Sequence, residues 1–103
     1  MDNDLRILKA DEVNEKLKEF PGWNYNNDKI SRQFELESFL KVIELINLLV
    51  PFFEKIDHHA DMHIYYKKIV FDLQRFDVGG KVTERDFTVA GEIERLYGEL
   101  AGK

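Results

Sequence analysis

The sequence predicts an α+β fold, a two-layer sandwich in which a four-stranded antiparallel sheet carries three helices on one face. Two observations predict it. Three stretches repeat apolar residues at helical spacing, and between them lie two pairs of short stretches in which apolar and polar residues alternate as in strands. The predicted order is α-β-β-α-β-β-α. The whole chain, residues 1–103, is predicted to be a single domain, because a chain of this length builds one core.

The first predicted helix covers residues 10–20, and its apolar stripe consists of Val13, Leu17 and Phe20. A Pro-Gly pair ends it. Alternating residues then predict two strands, one starting at Trp23 and one running from Ile30 to Leu36. The segment between them, residues 26–28, is predicted to be a turn because Asn and Asp tolerate left-handed backbone.

The longest helix is predicted from Phe39 to about Asp57, with Ser38 as its N-cap. It has more apolar residues than a single stripe needs: Phe39, Val42, Ile43, Leu45, Ile46, Leu48, Leu49, Val50, Phe52 and Phe53. One stripe is enough to cover a sheet, so the surplus predicts a homo-oligomer formed through the 39–57 helix. Pro51 lacks an N–H and clashes with the preceding turn, so a kink there or a break just before it is expected.

The second hairpin is predicted from residues 62–66 and 69–76, with Lys67 and Lys68 at its turn. One face of the last strand is apolar: Ile69, Phe71 and Leu73. The other face is too polar for a core and is predicted to be open to a ligand: Val70, Asp72, Gln74 and Phe76. A capping box at residues 83–86 opens the last helix, whose apolar stripe is Phe87, Ala90, Ile93, Leu96 and Leu100.

Composition narrows the classes of function. The net charge of −5 argues against nucleic acid as a direct partner, because binding phosphates needs a basic face. No run of 18 apolar residues occurs, so no transmembrane helix and no membrane partner are predicted. The acidic N-terminus has no signal-peptide pattern, which favours a cytoplasmic protein. The absence of cysteine excludes disulfides, thiolate chemistry and cysteine-ligated metals.

All three histidines lie in one short segment, where the helical pattern gives way to a strand pattern. Histidine is the usual proton carrier in catalysis, so His58 and His59 are candidate acid/base residues. Glu54 lies one turn earlier and could orient one of the two rings. Adjacent histidines at a helix end can also simply cap carbonyls or face solvent, so the pair alone does not decide the function.

A metal site is the rival interpretation of the same segment. His59 and His63 are four residues apart, with Asp57 and Asp61 nearby, and on a continuous helix this spacing could hold zinc. The segment lacks the glutamate of the metalloprotease motif, and the helix is predicted to end near His58. No metal site is therefore predicted, and His63 is interpreted as a surface residue of the following strand.

The sequence Glu54-x-x-x-His58-His59-Ala60, followed by an aromatic at Tyr66 and an acid at Asp86, resembles the signature of pterin-4a-carbinolamine dehydratases. Further segments resemble that family in the same order. They are Gly22-Trp23 before the first strand, and Asp77-Val78-Gly79-Gly80 and Thr83-Glu84-Arg85-Asp86 in the loop that leads into the last helix. The resemblance extends from about Leu8 to Leu100.

The resemblance implies an α+β fold, a dimer or tetramer, and dehydration of a 4a-hydroxytetrahydropterin to the quinonoid dihydropterin, in the recycling of the pterin used by aromatic amino-acid hydroxylases. It implies no metal and no cofactor. It assigns catalytic roles to His58, His59 and Glu54, and substrate binding to Trp23, Ala60, Arg75, Phe76, Asp77, Val78 and Arg85. Some relatives act as binding or assembly partners, so the alternative is a non-catalytic scaffold that binds a pterin or a partner protein.

Two positions depart from the family pattern. The family usually places a third active-site histidine at the end of the last strand, where this chain has Phe76. Phenylalanine can stack on a pterin but cannot carry a proton. The loop before Thr83 is also one residue longer, with Lys81 and Val82 where one residue is typical. These departures predict weakened activity on an unchanged fold.

Overall fold

Three helices and four strands follow one another in the predicted order in a computed structural model, which describes residues 6–74 and 81–101. The elements are α1 (Ala10–Leu17), β1 (Asn24–Asn26), β2 (Lys29–Glu35), α2 (Phe39–Ile56), β3 (Asp61–Tyr65), β4 (Lys68–Leu73) and α3 (Glu84–Ala101). The α+β fold is therefore confirmed, and the predicted boundaries shift by up to a few residues.

The four strands form one antiparallel sheet in the order β1-β2-β4-β3. Its two central strands, β2 and β4, are not neighbours in sequence, and they pair from Ile30 opposite Leu73 to Glu35 opposite Lys68. One face of this central pair is buried, through Ile30, Phe34, Ile69, Phe71 and Leu73. The predicted apolar face of the last strand is thus part of the core, which lies between the sheet and the helices.

Both hairpins close over two-residue turns that contain left-handed backbone. Asn27 and Asp28 have φ values of 54° and 62°, as expected for residues that tolerate this conformation. The second turn consists of Tyr66 and Lys67, one residue earlier than predicted, because Tyr65 pairs with Lys68. Tyr66 has a φ of 58°, and the turn is held against the end of β2 by a 2.9 Å hydrogen bond from the Leu36 N–H to the Lys67 carbonyl.

Helix α2 begins at the predicted cap, where the Ser38 hydroxyl accepts a 3.2 Å hydrogen bond from the Lys41 N–H. The expected break before Pro51 is not found, and the helix continues to Ile56. Pro51 costs the helix one backbone hydrogen bond. The burial of the side chains that anchor α2 to the core stabilises it by more than that cost: Val42, Leu45, Leu49 and Phe53. Neither α2 nor any other helix in residues 6–74 and 81–101 is long and apolar enough to cross a membrane.

A charged residue on the core face of β2 joins the sheet to α3. Arg32 follows the same alternation as Ile30 and Phe34, and its guanidinium lies 4.4 Å from the centroid of the Phe34 ring. It donates a hydrogen bond to the Glu94 carboxylate, which also accepts the Trp23 indole N–H at 2.8 Å. The Glu94 carboxylate therefore neutralises the positive charge of Arg32 between the sheet and the helices.

Candidate active site

Two adjacent histidines that follow the end of α2 lie in different environments. Asp57 takes left-handed backbone with a φ of 53°, and the His58 N–H reaches back to the Phe53 carbonyl at 3.1 Å, as in a Schellman-type helix end. After this turn the His58 side chain is 7% exposed, whereas the His59 side chain is 51% exposed. The sequence therefore places one imidazole inside the protein and the next one at the surface.

The buried histidine is held by α3. His58 Nε2 donates to Asp86 Oδ1 at 2.5 Å, and the Asp86 side chain is fully buried. The other oxygen of Asp86 accepts from the Thr83 N–H at 2.8 Å and from the Thr83 hydroxyl at 3.3 Å, which is the expected capping geometry at the start of α3. One carboxylate thus fixes the His58 ring and the beginning of the last helix.

The exposed histidine is held by α2 itself. His59 Nε2 donates to Glu54 Oε2 at 2.6 Å, and both side chains are more than half exposed. The Phe53 ring lies behind the imidazole, with its centroid 6.2 Å from that of His59. The helix therefore supplies a carboxylate and an aromatic surface that together orient His59.

In both histidine–carboxylate pairs, Nδ1 is the ring nitrogen that is left to exchange a proton with a substrate. An ionised carboxylate only accepts hydrogen bonds, so the Nε2 atom of each ring carries its hydrogen. The Nδ1 atom of His58 and of His59 is then the basic atom of the neutral ring and the acidic N–H of the protonated ring. Two carboxylate-oriented imidazoles, one buried and one exposed, can divide the work of an acid and a base.

Arg85 and Ala60 lie beside this segment. Arg85 donates from Nη1 to the Ile56 carbonyl at 3.1 Å and so holds the end of α2, and Ala60 is buried. Trp23 is buried against Phe34 and bonded to Glu94 in the layer between sheet and helix. The remaining predicted substrate-binding residues fall outside the described residues: Arg75, Phe76, Asp77 and Val78.

The third histidine is also paired with a carboxylate, on the sheet face away from the helices. Asp72 Oδ2 accepts from His63 Nε2 at 2.9 Å and lies 3.4 Å from the Lys29 ammonium, and Oδ1 accepts from the Ser31 hydroxyl at 2.5 Å. Burial raises the pKa of Asp72, but these hydrogen bonds and the Lys29 charge outweigh burial and hold the pKa below its ordinary value of 3.8. The polar face predicted from the sequence therefore carries a buried, ionised carboxylate.

The lowered pKa of Asp72 gives the first prediction. The ionised group contributes stability that is fully present above its ordinary pKa of 3.8 and is lost as the pH falls through the lower pKa of the folded state. Asp72→Asn should lower the free energy of unfolding by about 1–2 kcal/mol at pH 7 and flatten its fall below about pH 4. Denaturant unfolding at several pH values measures both effects. Asp61→Asn, at the exposed position directly opposite on β3, is the control, and equal losses for the two variants would contradict the prediction.

The structure does not bring His59 and His63 together in the metal site that was the alternative interpretation of this segment. Helix α2 ends at Ile56, and His63 lies in β3, so His59 and His63 do not share the continuous helix that a zinc site with this spacing requires. Within residues 6–74 and 81–101, no group of three or more histidine, aspartate or glutamate side chains is placed to hold a metal ion.

Sequence reasoning did not identify the role of Asp86. It placed Asp86 in a capping box and in the family signature, but not among the site residues. The missing information is the contact with His58, which joins residues 28 positions apart and has no periodic signal in the sequence. The carboxylate at the third position of the cap and the acid in the family signature were the available indications.

A family model described as pterin 4 alpha carbinolamine dehydratase matches residues 6–96. A protein of Sulfolobus acidocaldarius is 34% identical over 89 residues, covering 86% of this chain and 97% of its own length. A protein of Picosynechococcus sp. is 38% identical over 85 residues, covering 82% of this chain and 91% of its own length. Both carry pterin-4-alpha-carbinolamine dehydratase as a provisional name.

Two solved structures share the fold. A Brucella melitensis protein described as a transcriptional coactivator/pterin dehydratase has a TM-score of 0.82 and 26% identity, and the match covers 88% of this chain and 98% of that one. A pterin dehydratase-like protein identified as a RuBisCO assembly factor in the alpha-carboxysome has a TM-score of 0.63 and 15% identity, with 75% of this chain and 90% of that one covered. The second likeness is one of fold alone.

Proposed function

The chain belongs to the pterin 4 alpha carbinolamine dehydratase family, and from this premise we propose that it removes water from a 4a-hydroxytetrahydropterin to give the quinonoid dihydropterin. The observation that carries the proposal is the pair of adjacent histidines, each with its own carboxylate: His58 with Asp86 and His59 with Glu54. In the recycling of a pterin cofactor, this reaction follows the hydroxylation that produces the 4a-hydroxy compound.

The reaction needs one group to protonate the leaving 4a-hydroxyl and another to take the proton from the ring nitrogen. Positioned side chains of this kind each contribute about 10²–10⁴-fold in rate. Glu54 and Asp86 hold the Nε2 atoms of the two rings, so Nδ1 of one ring donates a proton while Nδ1 of the other accepts one. No metal or cofactor enters these steps, in keeping with the chemistry expected from the resemblance.

The family's usual third histidine gives a direct test. Wild-type protein should dehydrate 4a-hydroxytetrahydropterin measurably, and Phe76→His should raise the rate by about tenfold or more because it adds an acid/base group. The assay follows the conversion of the 4a-hydroxy compound spectroscopically in the presence of each variant. Phe76→Asn is the control, since it removes the ring without adding a group that exchanges protons near neutral pH.

The second candidate function is a non-catalytic scaffold that binds a pterin or a partner protein, and the observation that favours it is Phe76 itself. An aromatic ring at this position retains stacking on a pterin but loses proton transfer. If wild type has no dehydratase activity and Phe76→His restores none, the dehydratase proposal fails and the scaffold proposal replaces it. A tetrahydropterin analogue that perturbs the His58 and His59 NMR signals in such a protein then supports pterin binding.

We also propose that the chain forms a homo-oligomer through α2 and acts in the cytoplasm on a small-molecule pterin, with no nucleic acid as partner. The support for association is the apolar surface that α2 leaves uncovered, which includes Phe39, Leu40, Leu48 and Val50. Exposed apolar patches of this kind mark interaction sites in soluble proteins. The net charge of −5 supports the exclusion of nucleic acid, and the lack of cysteine fits a reducing compartment such as the cytoplasm.

A further inference from the structure

The capping box at the start of α3 contains a variation. The bond from the Thr83 N–H to the Asp86 carboxylate is present at 2.8 Å. In the other half of such a box, a threonine hydroxyl ordinarily accepts from the backbone N–H of the third helical residue. Here that N–H, which belongs to Asp86, donates to the Thr83 carbonyl at 3.1 Å. The hydroxyl lies 3.3 Å from the carboxylate and donates to it, because an ionised carboxylate only accepts hydrogen bonds.

The backbone of Thr83 is held from outside α3. Thr83 is fully buried, and it pairs with Ile7 in an isolated antiparallel bridge. Next to this bridge, the Leu8 N–H donates to the Val82 carbonyl at 2.9 Å. The Thr83 hydroxyl therefore approaches Asp86 from a position that two parts of the chain fix, and that does not depend on α3 alone.

The two bonds from Thr83 fix the plane of the Asp86 carboxylate. The torsion that orients a carboxylate is broad and roughly two-fold, so a single donor leaves the group able to turn. With the N–H and the hydroxyl of Thr83 both on Oδ2, Oδ1 stays directed at His58 Nε2, 2.5 Å away. This contact keeps a hydrogen on Nε2 of the neutral ring and leaves Nδ1 as its basic atom. A carboxylate that turned away would permit the other tautomer, in which Nδ1 carries the hydrogen and cannot accept a proton.

We infer that Thr83 is a positioning residue for proton transfer at His58, because its hydroxyl holds the Asp86 carboxylate in the orientation that selects the Nε2–H tautomer. The proton moves between the substrate and His58 Nδ1, and Thr83 acts on this step only through Asp86. The expected effect on the reaction rate rests on the proposed dehydratase function, whereas the expected effect on the tautomer does not.

Kinetics of matched variants test the effect on the reaction. Thr83→Val keeps the shape of the side chain and the backbone N–H but removes the hydroxyl, so kcat per folded molecule should fall by about tenfold. KM should stay within about twofold of wild type, since the hydroxyl does not contact the substrate. Thr83→Ser restores the hydroxyl and should recover most of the rate. Thr88→Val is the control, because Thr88 lies one turn later on α3, is exposed and directs its hydroxyl to the Glu84 carbonyl at 3.5 Å. Full activity in Thr83→Val, or a Thr83→Ser variant as impaired as Thr83→Val, overturns the inference.

Imidazole ¹⁵N NMR tests the positioning without any assay of activity. Wild type, Thr83→Ser and Thr88→Val should each show neutral His58 as the Nε2–H tautomer. Thr83→Val should show a mixture of the two tautomers, with faster exchange of the Nε2 hydrogen with solvent. A Thr83→Val variant that unfolds at lower denaturant concentration but keeps the wild-type His58 signals has lost only a structural contact, which overturns the inference. If the His58 signals respond as expected while wild type has no dehydratase activity, the dehydratase proposal fails and the positioning role of Thr83 stands.

Discussion

His59→Ala should lower kcat/KM for 4a-hydroxytetrahydropterin dehydration by about 10²–10⁴-fold, the usual effect of losing a positioned acid/base group. The same change should move the free energy of unfolding by no more than about 0.5 kcal/mol, because His59 is half exposed and its partner Glu54 lies on the helix surface. Initial rates and thermal unfolding of the same preparation measure the two quantities. Glu54→Gln should give a smaller loss of rate, since it leaves His59 in place and removes only the charge that orients it.

The chain offers a matched control for this experiment in His63. Its side chain is exposed to a similar degree, and its Nε2 is also bonded to a carboxylate, but it lies on β3 against Asp72. His63→Ala should keep the dehydration rate per folded molecule within about twofold of wild type, since it removes no proposed acid or base. A large loss of activity for His63→Ala, or an active His59→Ala, would contradict the assignment of His59.

Asp86→Ala, unlike His59→Ala, should have its largest effect on the free energy of unfolding. It removes the partner of a buried histidine and the acceptor that caps α3, and breaking a buried pair from one side destabilises by about 3–5 kcal/mol. Urea unfolding measures the change. Asp86→Asn keeps the shape and an oxygen for the Thr83 N–H, so it should lose less and should remain folded if the alanine variant does not.

A double-mutant cycle separates the His58 contact from the cap. If the 2.5 Å hydrogen bond couples the two residues, the losses for Asp86→Asn and His58→Asn should add to more than the loss for the double variant, by about 1–3 kcal/mol. Thr83→Val removes the hydroxyl that bonds the other oxygen of Asp86 and serves as a comparison outside the pair. Additive losses for Asp86 and His58 would show that each residue acts alone.

Local sequence patterns were sufficient for the elements of this fold. The helix cap at Ser38, the Asn27-Asp28 turn and the alternation of Ile69, Phe71 and Leu73 each depend on residues near one another in the chain, where backbone preference and periodicity act. At Pro51 a kink or a break was predicted, and the break does not occur, because tertiary packing outweighs a single local penalty.

Long-range pairing was less predictable. Nothing periodic indicates that β2 lies beside β4, or that Arg32 on a core-facing position is neutralised by Glu94 62 residues later. The segment His58-His59 was recognisable as a candidate site from its residue types, but which carboxylate holds which ring was not, since Asp86 lies on another element. Sequence alone therefore identified the candidate proton carriers and Glu54 as a candidate partner, and the fold assigned Glu54 to His59 and added Asp86 as the partner of His58.

The pairing of β2 with β4 also constrains the order in which the chain folds. Each hairpin closes over two residues, whereas β2 and β4 meet only after the segment from Glu35 to Lys68 has looped back. Chain entropy makes such non-local contacts the slow ones. We expect the contact between His58 and Asp86 to form later still, because α3 must dock as well. During synthesis, which proceeds from the N-terminus, both histidines emerge from the ribosome well before Asp86, so we expect the acid/base geometry to arise only when the last helix is made and docked.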